Sequence, residues 1–276
     1  MNTTLVIMAG GRSSRMKKSA HVLSDNHLAL KAQQLHKSLI PLGASQTPLL
    51  SRLCLEAFKA GVTEVIVVTS PENESFLQWK KSFAKNTPQV AKAIHFAIQL
   101  PDAASSKPMG TADAVFQAMQ QYPKLKNHRF IIANGDNLYS AYALSKAVHH
   151  TSTPHALIGY EAKALGYPEE RISSFALIRT AHQYASEIVE KPPVDTLDRF
   201  KDTEGNLMVS MNLWLADGVT FFKALERCPI HPERKEKELP EAFRLAIEDD
   251  PSSVFVHLVH EALPDLTSAL DLSSFE

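Results

Sequence analysis

Short apolar and β-branched runs alternate along the chain with segments whose apolar residues recur at helical spacing, the pattern of βαβ units around a mainly parallel sheet. The first run, Leu5 to Ala9, contains no polar position and reads as a strand buried on both faces; it stops at Gly10-Gly11. Leu50, Leu53, Leu55 and Phe58 predict a helix over 48–60 closed by Gly61, and EVIVVT at 64–69 is the next strand. Ser70-Pro71-Glu72 predicts a helix start, with Phe76, Leu77, Trp79 and Phe83 on its buried face. Strands are expected over 93–99 and 129–133, separated by a helix that opens at Gly110-Thr111 and runs through Tyr122. Past about Thr151 the runs HALIGYEA, SFALIRT and YASEIVEK follow one another on short connections, which predicts an antiparallel extension of the same sheet. A polar loop over 198–206, a strand over 207–216, helices over 218–227 and 239–247, a strand over 254–260 and a short helix over 266–272 complete a single α/β domain spanning 1–276.

Composition removes several classes of function. Lysine and arginine number 29 against 30 acidic residues, so bulk charge points to neither nucleic acid nor membrane. No apolar run approaches the ~20 residues of a transmembrane helix. The opening run is short and has no basic region before it, so it does not read as a signal peptide and the expected location is the cytoplasm. Cys54 and Cys228 lie far apart with no partner at zinc spacing, which predicts buried thiols. The charged run 233–238 reads as a solvated loop or helix start.

Candidate chemistry begins where the first strand ends. Two glycines after a buried strand let the backbone approach a ligand with no Cβ in the way, and Arg12, Ser13, Ser14 and Arg15 add hydroxyls and positive charge, a set suited to nucleotide phosphates. An ordinary Gly-Gly turn with a solvated basic loop is the alternative. No Gly-Lys-Ser/Thr follows and the segment is not G-x-G-x-x-G, so neither the Walker nor the dinucleotide fingerprint applies. Ala9-Gly10-Gly11-Arg12-Ser13-Ser14-Arg15-Met16 resembles the A-G-G-x-G-T-R-L signature of the sugar-1-phosphate nucleotidyltransferases, and Lys37-Ser38-Leu39-Ile40-Pro41-Leu42 is similar to their P-K-x-L-x-P element. Ser13-Ser14 stands for Gly-Thr, as in the molybdenum-cofactor guanylyltransferases and the cytidylyltransferases of isoprenoid synthesis. His36 stands where proline is usual, and the spacer between Arg15 and Lys37 is long.

Further elements resemble the same family in the same order. Pro108 to Val115 is similar to its G-T-A-D-A-V element, Gly135-Asp136-Asn137 to G-D-N, Glu190-Lys191-Pro192 to E-K-P, Val209 to Trp214 to S-M-G-x-Y with Asn212 for the glycine, Leu239 to Ala242 to L-P-E-A, and Asp265 to Leu272 to D-x-G-T-x-x-D-L. The sequence contains no hexapeptide repeat, so the β-helix domain that some members of the family carry is not expected.

The resemblance implies a Rossmann-like nucleotidyltransferase fold, a mixed but mainly parallel sheet flanked by helices, and transfer of a nucleotidyl group from a nucleoside triphosphate to a sugar 1-phosphate. It implies Arg15, Lys37 and Lys191 as the cations of catalysis, Arg15 and Lys37 holding the triphosphate, and Ala9, Gly10, Gly11, Gln99, Gly110 and Thr111 as the nucleotide site. Glu190, Lys191 and Asn212 would meet the sugar phosphate, and Asp136 and Asp265 would hold Mg²⁺, a homo-oligomer being compatible with this. Thr111 is expected to cap its helix, and Gln99 to pair with uracil or thymine, with the insertion 101–107 following it. Two rival readings are transfer to another phosphorylated acceptor and a catalytically weak regulatory relative; pyrophosphate release separates the latter.

Overall fold

The structure is a computed structural model that describes residues 2–102 and 107–275. Four residues of the 101–107 insertion, 103–106, lie outside the described residues. After β1 (Thr4–Met8) the chain makes a helical excursion, α1 (Ser14–Ser19) and α2 (Asn26–Gln34), and a small antiparallel ribbon of β2 (Pro41–Leu42) and β3 (Thr47–Pro48). Next come α3 (Leu49–Lys59), β4 (Glu64–Thr69), α4 (Glu74–Asn86), α5 (Pro88–Lys92), β5 (Ile94–Ile98), α6 (Thr111–Gln121) and β6 (Arg129–Asn134). The second half holds α7 (Ala141–Val148), β7 (His155–Glu161), the single turns α8 (Ala162–Leu165) and α9 (Glu169–Ile172), and the hairpin of β8 (Ala176–Ala181) and β9 (Tyr184–Glu190). It ends with β10 (Met208–Asp217), α10 (Gly218–Arg227), α11 (Leu239–Asp249) and β11 (Val254–Val259).

Nine strands form one sheet in the order β5-β4-β1-β6-β10-β7-β11-β9-β8. The first four are parallel and β10 runs antiparallel between β6 and β7; of the three runs expected to form an antiparallel extension, β8 and β9 pair antiparallel with each other, whereas β7 is parallel to β11, which inserts between it and β9. From β1 the order steps outward through β4 and β5 on one side and through β6 on the other. The crevice beyond the carboxyl ends of β1 and β6 is therefore a topological switch point, where open α/β sheets take their ligands.

Period-2 alternation sends Leu5 and Ile7 to one face, against Leu53 of α3, Phe76 of α4 and Leu144 of α7, and Val6 and Met8 to the other, against Val115 of α6, Phe221 of α10 and Phe243 of α11. A third apolar cluster joins Met16, Ala32 and Ile40 of the excursion to Leu266, Leu272 and Phe275 near the chain end. Among the described residues no helix is long and apolar enough to cross a membrane.

Several local expectations are corrected. The helix expected at Ser70 begins at Glu74, and Leu77 is exposed, not part of its buried face. The last segment is a 3-10 stretch over Ala269–Phe275 with an isolated bridge at Asp265 before it. α2 has no apolar stripe to announce it: only Ala32 is buried, and it starts because the Asp25 carboxylate accepts from the His27 and Leu28 amides, at 2.8 and 3.2 Å.

His155, at the start of β7, is 1% exposed and accepts the Asp217 amide on Nδ1 at 3.1 Å, while burial lowers its pKa to about 4. Between about pH 4 and 6.5 the unfolded chain therefore binds the proton that the folded chain excludes, so this contribution is complete above pH 6.5 and is lost as pH falls. The loss should reach roughly 2 kcal/mol by pH 5. A melting midpoint that falls from pH 7 to pH 5, with a flatter fall in His155→Gln, is the expected result; superimposable profiles would contradict it.

Candidate functional site

The loop after β1 continues the sheet by one bond, Ala9 N–H to Val68 O at 2.8 Å, and the loop after β6 does the same through Gly135 N–H to Met8 O at 2.9 Å. Ala9-Gly10-Gly11 and Asn134-Gly135-Asp136 are thereby set side by side at the switch point. A Cβ on Gly11 would meet nothing within 4 Å, whereas one on Gly10 would lie 2.8 Å from Gln99 Oε1. Neither glycine has a positive φ. The left-handed residue of this loop is Ser13, at φ 54°, and Asn212 has φ 57°. Both replace glycines of the family pattern, so those glycines mark a backbone conformation, which costs an L-residue about 1–2 kcal/mol. Ser13 offsets part of this: its Oγ accepts the Lys37 amide at 3.0 Å and ties the loop to the lysine's turn. Asn212 has its Oδ1 3.3 Å from Trp214 Nε1, which donates to it.

Gln99 is held by α6. Its Nε2 donates to Gly110 O at 3.0 Å and to Asp113 Oδ2 at 2.8 Å, and Gln117 Nε2 donates to the same carboxylate oxygen at 2.9 Å. Both partners of Nε2 are acceptors, so the amide orientation is fixed and Oε1 faces Gly10. The aspartate of G-T-A-D-A-V is thus the clamp of Gln99. Gly110 has φ 100° and lies under the chain at 236–237, with Lys237 O 2.5 Å from where a Cβ would be.

Thr111 does not cap its own helix: its hydroxyl accepts the Leu239 amide at 2.9 Å, and Ala112 N–H donates to Lys237 O at 3.0 Å. The charged run is therefore no detached solvated loop. It crosses the start of α6, with Glu238 buried and ion-paired to Arg234 and Glu236 on the cavity rim.

Asp136 and Asp265 come from distant parts of the chain and are brought together by backbone pairing. Asn137 and Asp265 form a bridge, Leu266 N–H donates to Asp136 O at 2.8 Å, and Leu138 N–H to Pro264 O at 3.2 Å. Each carboxylate already has a cation. Lys37 Nζ pairs with Asp136 Oδ2, and Arg171 pairs with Asp265 at 3.0 Å and with Asp271 at 2.5 Å. Asn137 Nδ2 donates to Asp265 Oδ1 at 3.0 Å and Thr267 Oγ1 to Oδ2 at 2.7 Å. Burial first, and then the charge of Asp136, raise the Asp265 pKa. Asp271 Oδ2 accepts from the Thr267 and Ser268 amides, at 3.0 and 2.6 Å, so it fixes the loop that carries Asp265.

Two cavities of about 480 and 430 Å³ adjoin here and share Thr111, Asn134, Asp136 and Glu236. The first contains Ala9, Gly10, Gly11, Lys37, Gln99 and Gly110. The second contains Arg15, Glu190, Lys191, Asn212, Asp265 and the unanticipated Arg171. Arg15 thus lies across Asp136 from the diglycine, on a different cavity from Lys37. Lys191, at φ 52°, has its Nζ 3.3 Å from Glu190 Oε1, and burial raises the Glu190 pKa. Among the described residues there is no cluster of three or more histidine, cysteine or acidic side chains placed to hold a metal by themselves.

Arg171 lay in a stretch without a motif, and nothing in sequence could single it out from two neighbouring glutamates. Asp113 and Asp271 were inside recognised strings, where a short acidic side chain among backbone amides or amides of glutamine was the available signal.

The fold resembles that of a crystal structure of UDP-glucose pyrophosphorylase complexed with UDP-glucose, with a TM-score of 0.72 and 16% identity over 99% of this chain and 97% of that one. The comparison with curated proteins found no match. Residues 4–259 match the family described as nucleotidyl transferase, a span that takes in both strand ends, the Gln99 clamp and the Glu190-Lys191 pair. The chain belongs to the nucleotidyl transferase family.

Proposed function

We propose that this nucleotidyl transferase joins a nucleoside triphosphate to a sugar 1-phosphate and releases pyrophosphate. The observation that carries the reading is the pair of cavities meeting at Asp136, one walled by the diglycine loop and Gln99, the other by Glu190 and Lys191. Two polyanions must be brought together, and the transfer is then in line: the sugar phosphate oxygen attacks the α-phosphorus and the bond to the β-phosphate oxygen breaks. Lys37 would meet the triphosphate, Arg15, which lines the other cavity and not the triphosphate side expected of it, would join Lys191 on the acceptor phosphate, and Glu190 would accept from sugar hydroxyls. The solved UDP-glucose pyrophosphorylase of the same fold favours a sugar acceptor and a uridylyl donor, and the cytoplasm, where triphosphates are made, is the proposed location.

Asp136 and Asp265 fit Mg²⁺, which is commonly held by one or two carboxylates together with substrate phosphates. Bound there, it would supply positive charge against the phosphates. Both carboxylates line the same cavity and the charge of Asp136 acts on Asp265, as two ligands of one cation would, and Lys37 would exchange Asp136 for phosphate as the site fills.

Gln99 presents an acceptor, not a donor–acceptor pair, to the base. Oε1 suits the N3–H of uracil or thymine and opposes the lone pair of cytosine N3, a mismatch worth about 1–3 kcal/mol. UTP or dTTP should therefore be preferred over CTP roughly ten- to a hundredfold, a preference lost in Gln99→Ala. The test is a grid of five triphosphates against common sugar 1-phosphates, followed by pyrophosphate release. Turnover with a pyrimidine donor and a sugar 1-phosphate supports the proposal, and release only with other phosphorylated acceptors overturns it.

A further inference from the structure

His36 stands where the family pattern has proline, beside the diglycine loop, and its ring packs on Phe76 with centroids 5.2 Å apart. Its Nδ1 lies 2.8 Å from Ser38 Oγ and accepts the Ser38 amide at 3.3 Å. A backbone amide can only donate, so Nδ1 is the acceptor and the proton of the neutral ring sits on Nε2. Burial keeps the ring neutral, with its pKa lowered to about 4, while the Gly11 backbone acts on it in the opposite sense, as an acceptor does. Yet Nε2 is fully enclosed and has no hydrogen-bond partner of good geometry. It is a buried donor in the wall of the nucleotide cavity.

Two residues further along the loop, Ser13 Oγ holds the Lys37 amide. The 36–38 turn therefore meets the 11–13 loop at two places, of which one is a completed hydrogen bond and the other is not. We propose that His36 is a positioning residue of the phosphate loop, its Nε2–H donating to the Gly11 carbonyl when the triphosphate draws the loop inward. A trans peptide carries its N–H opposite its C=O, so fixing the Gly11 carbonyl toward the imidazole fixes the plane of the Gly11–Arg12 peptide. Proline, with no donor, can supply only packing. The inference rests on the proposal that this cavity takes a triphosphate.

Calorimetric titration with UTP and Mg²⁺ tests it on the wild type and three variants. His36→Phe keeps the ring on Phe76 without a donor, His36→Asn keeps a group only near Nδ1, and His36→Gln places an amide N–H where Nε2 was. The Phe and Asn variants should bind about three- to tenfold more weakly, with KM for the triphosphate rising by the same factor and kcat within about twofold. The Gln variant should stay within about twofold of wild type, and the melting midpoint of the Phe variant should not fall, since an unpaired buried donor has been removed. Wild-type affinity in His36→Phe, or equal weakness in His36→Gln and His36→Phe, would overturn the inference. Absence of triphosphate binding by the wild type would instead overturn the proposed function beneath it.

Discussion

Lys37→Ala is expected to lower turnover roughly 10²- to 10³-fold, the usual loss when a charge-stabilising group is taken from a phosphoryl or acyl transfer site. The ion pair with Asp136 makes a second effect follow. In the resting protein the lysine neutralises the carboxylate proposed to hold the metal, so metal and ammonium would compete for the same carboxylate. Removing the ammonium should leave the Mg²⁺ concentration for half-maximal activity unchanged or lower, even as kcat collapses. Asp136→Asn should do the opposite and raise it. A Lys37→Ala enzyme with near-normal kcat, or one whose defect excess Mg²⁺ repairs, would separate Lys37 from the reaction.

Arg171→Met should destabilise the protein by about 3 kcal/mol, because two buried carboxylates lose their shared cation and breaking a buried pair from one side costs about 3–5 kcal/mol. Asp265 and Asp271 are 5% and 7% exposed, one just before and one within the 3-10 stretch that follows β11, so water can replace little of what the guanidinium supplies. The effect should also reach the site. Thr267 and Ser268 remain tied to Asp271, but Asp265 keeps only Asn137 and Thr267 as donors, and its raised pKa should move further up. Arg171→Lys should recover part of the stability, since a lysine supplies the charge without the fork that serves two carboxylates at once. Unchanged denaturant midpoints in Arg171→Met would show that the carboxylates find another partner or are neutral already.

The parallel half of the sheet was legible because its strands are buried on both faces and contain almost no polar residue; Leu5 to Met8 and Val65 to Val68 could hardly be anything else. The order of motifs placed every candidate of the site on one of two adjoining cavities. What sequence could not give was the pairing of charges. Arg171 reaches Asp265 across 94 positions and Lys37 reaches Asp136 across 99, and no local pattern encodes such a distance.

Thr111 was misread for a related reason. A threonine at a helix start has a local use as a cap, but here the incoming backbone of Leu239 takes the hydroxyl, a tertiary contact that outcompetes the local one. The departures at Ser13 and Asn212 were visible as substitutions, yet their meaning needed the backbone. Both stand in the left-handed region, where glycine is the easy residue and serine or asparagine the tolerated ones.

The most direct test of nucleotidyl transfer to a sugar phosphate is phosphorus NMR of the wild-type enzyme mixed with UTP, glucose 1-phosphate and Mg²⁺. The signals of both substrates should decline together while the coupled diphosphate pair of a nucleotide sugar and an equimolar pyrophosphate signal appear, and added pyrophosphate should drive the change backwards. Free UMP with pyrophosphate, the sugar phosphate signal remaining constant, would mean that water and not a sugar phosphate is the acceptor, and would contradict the proposed transfer.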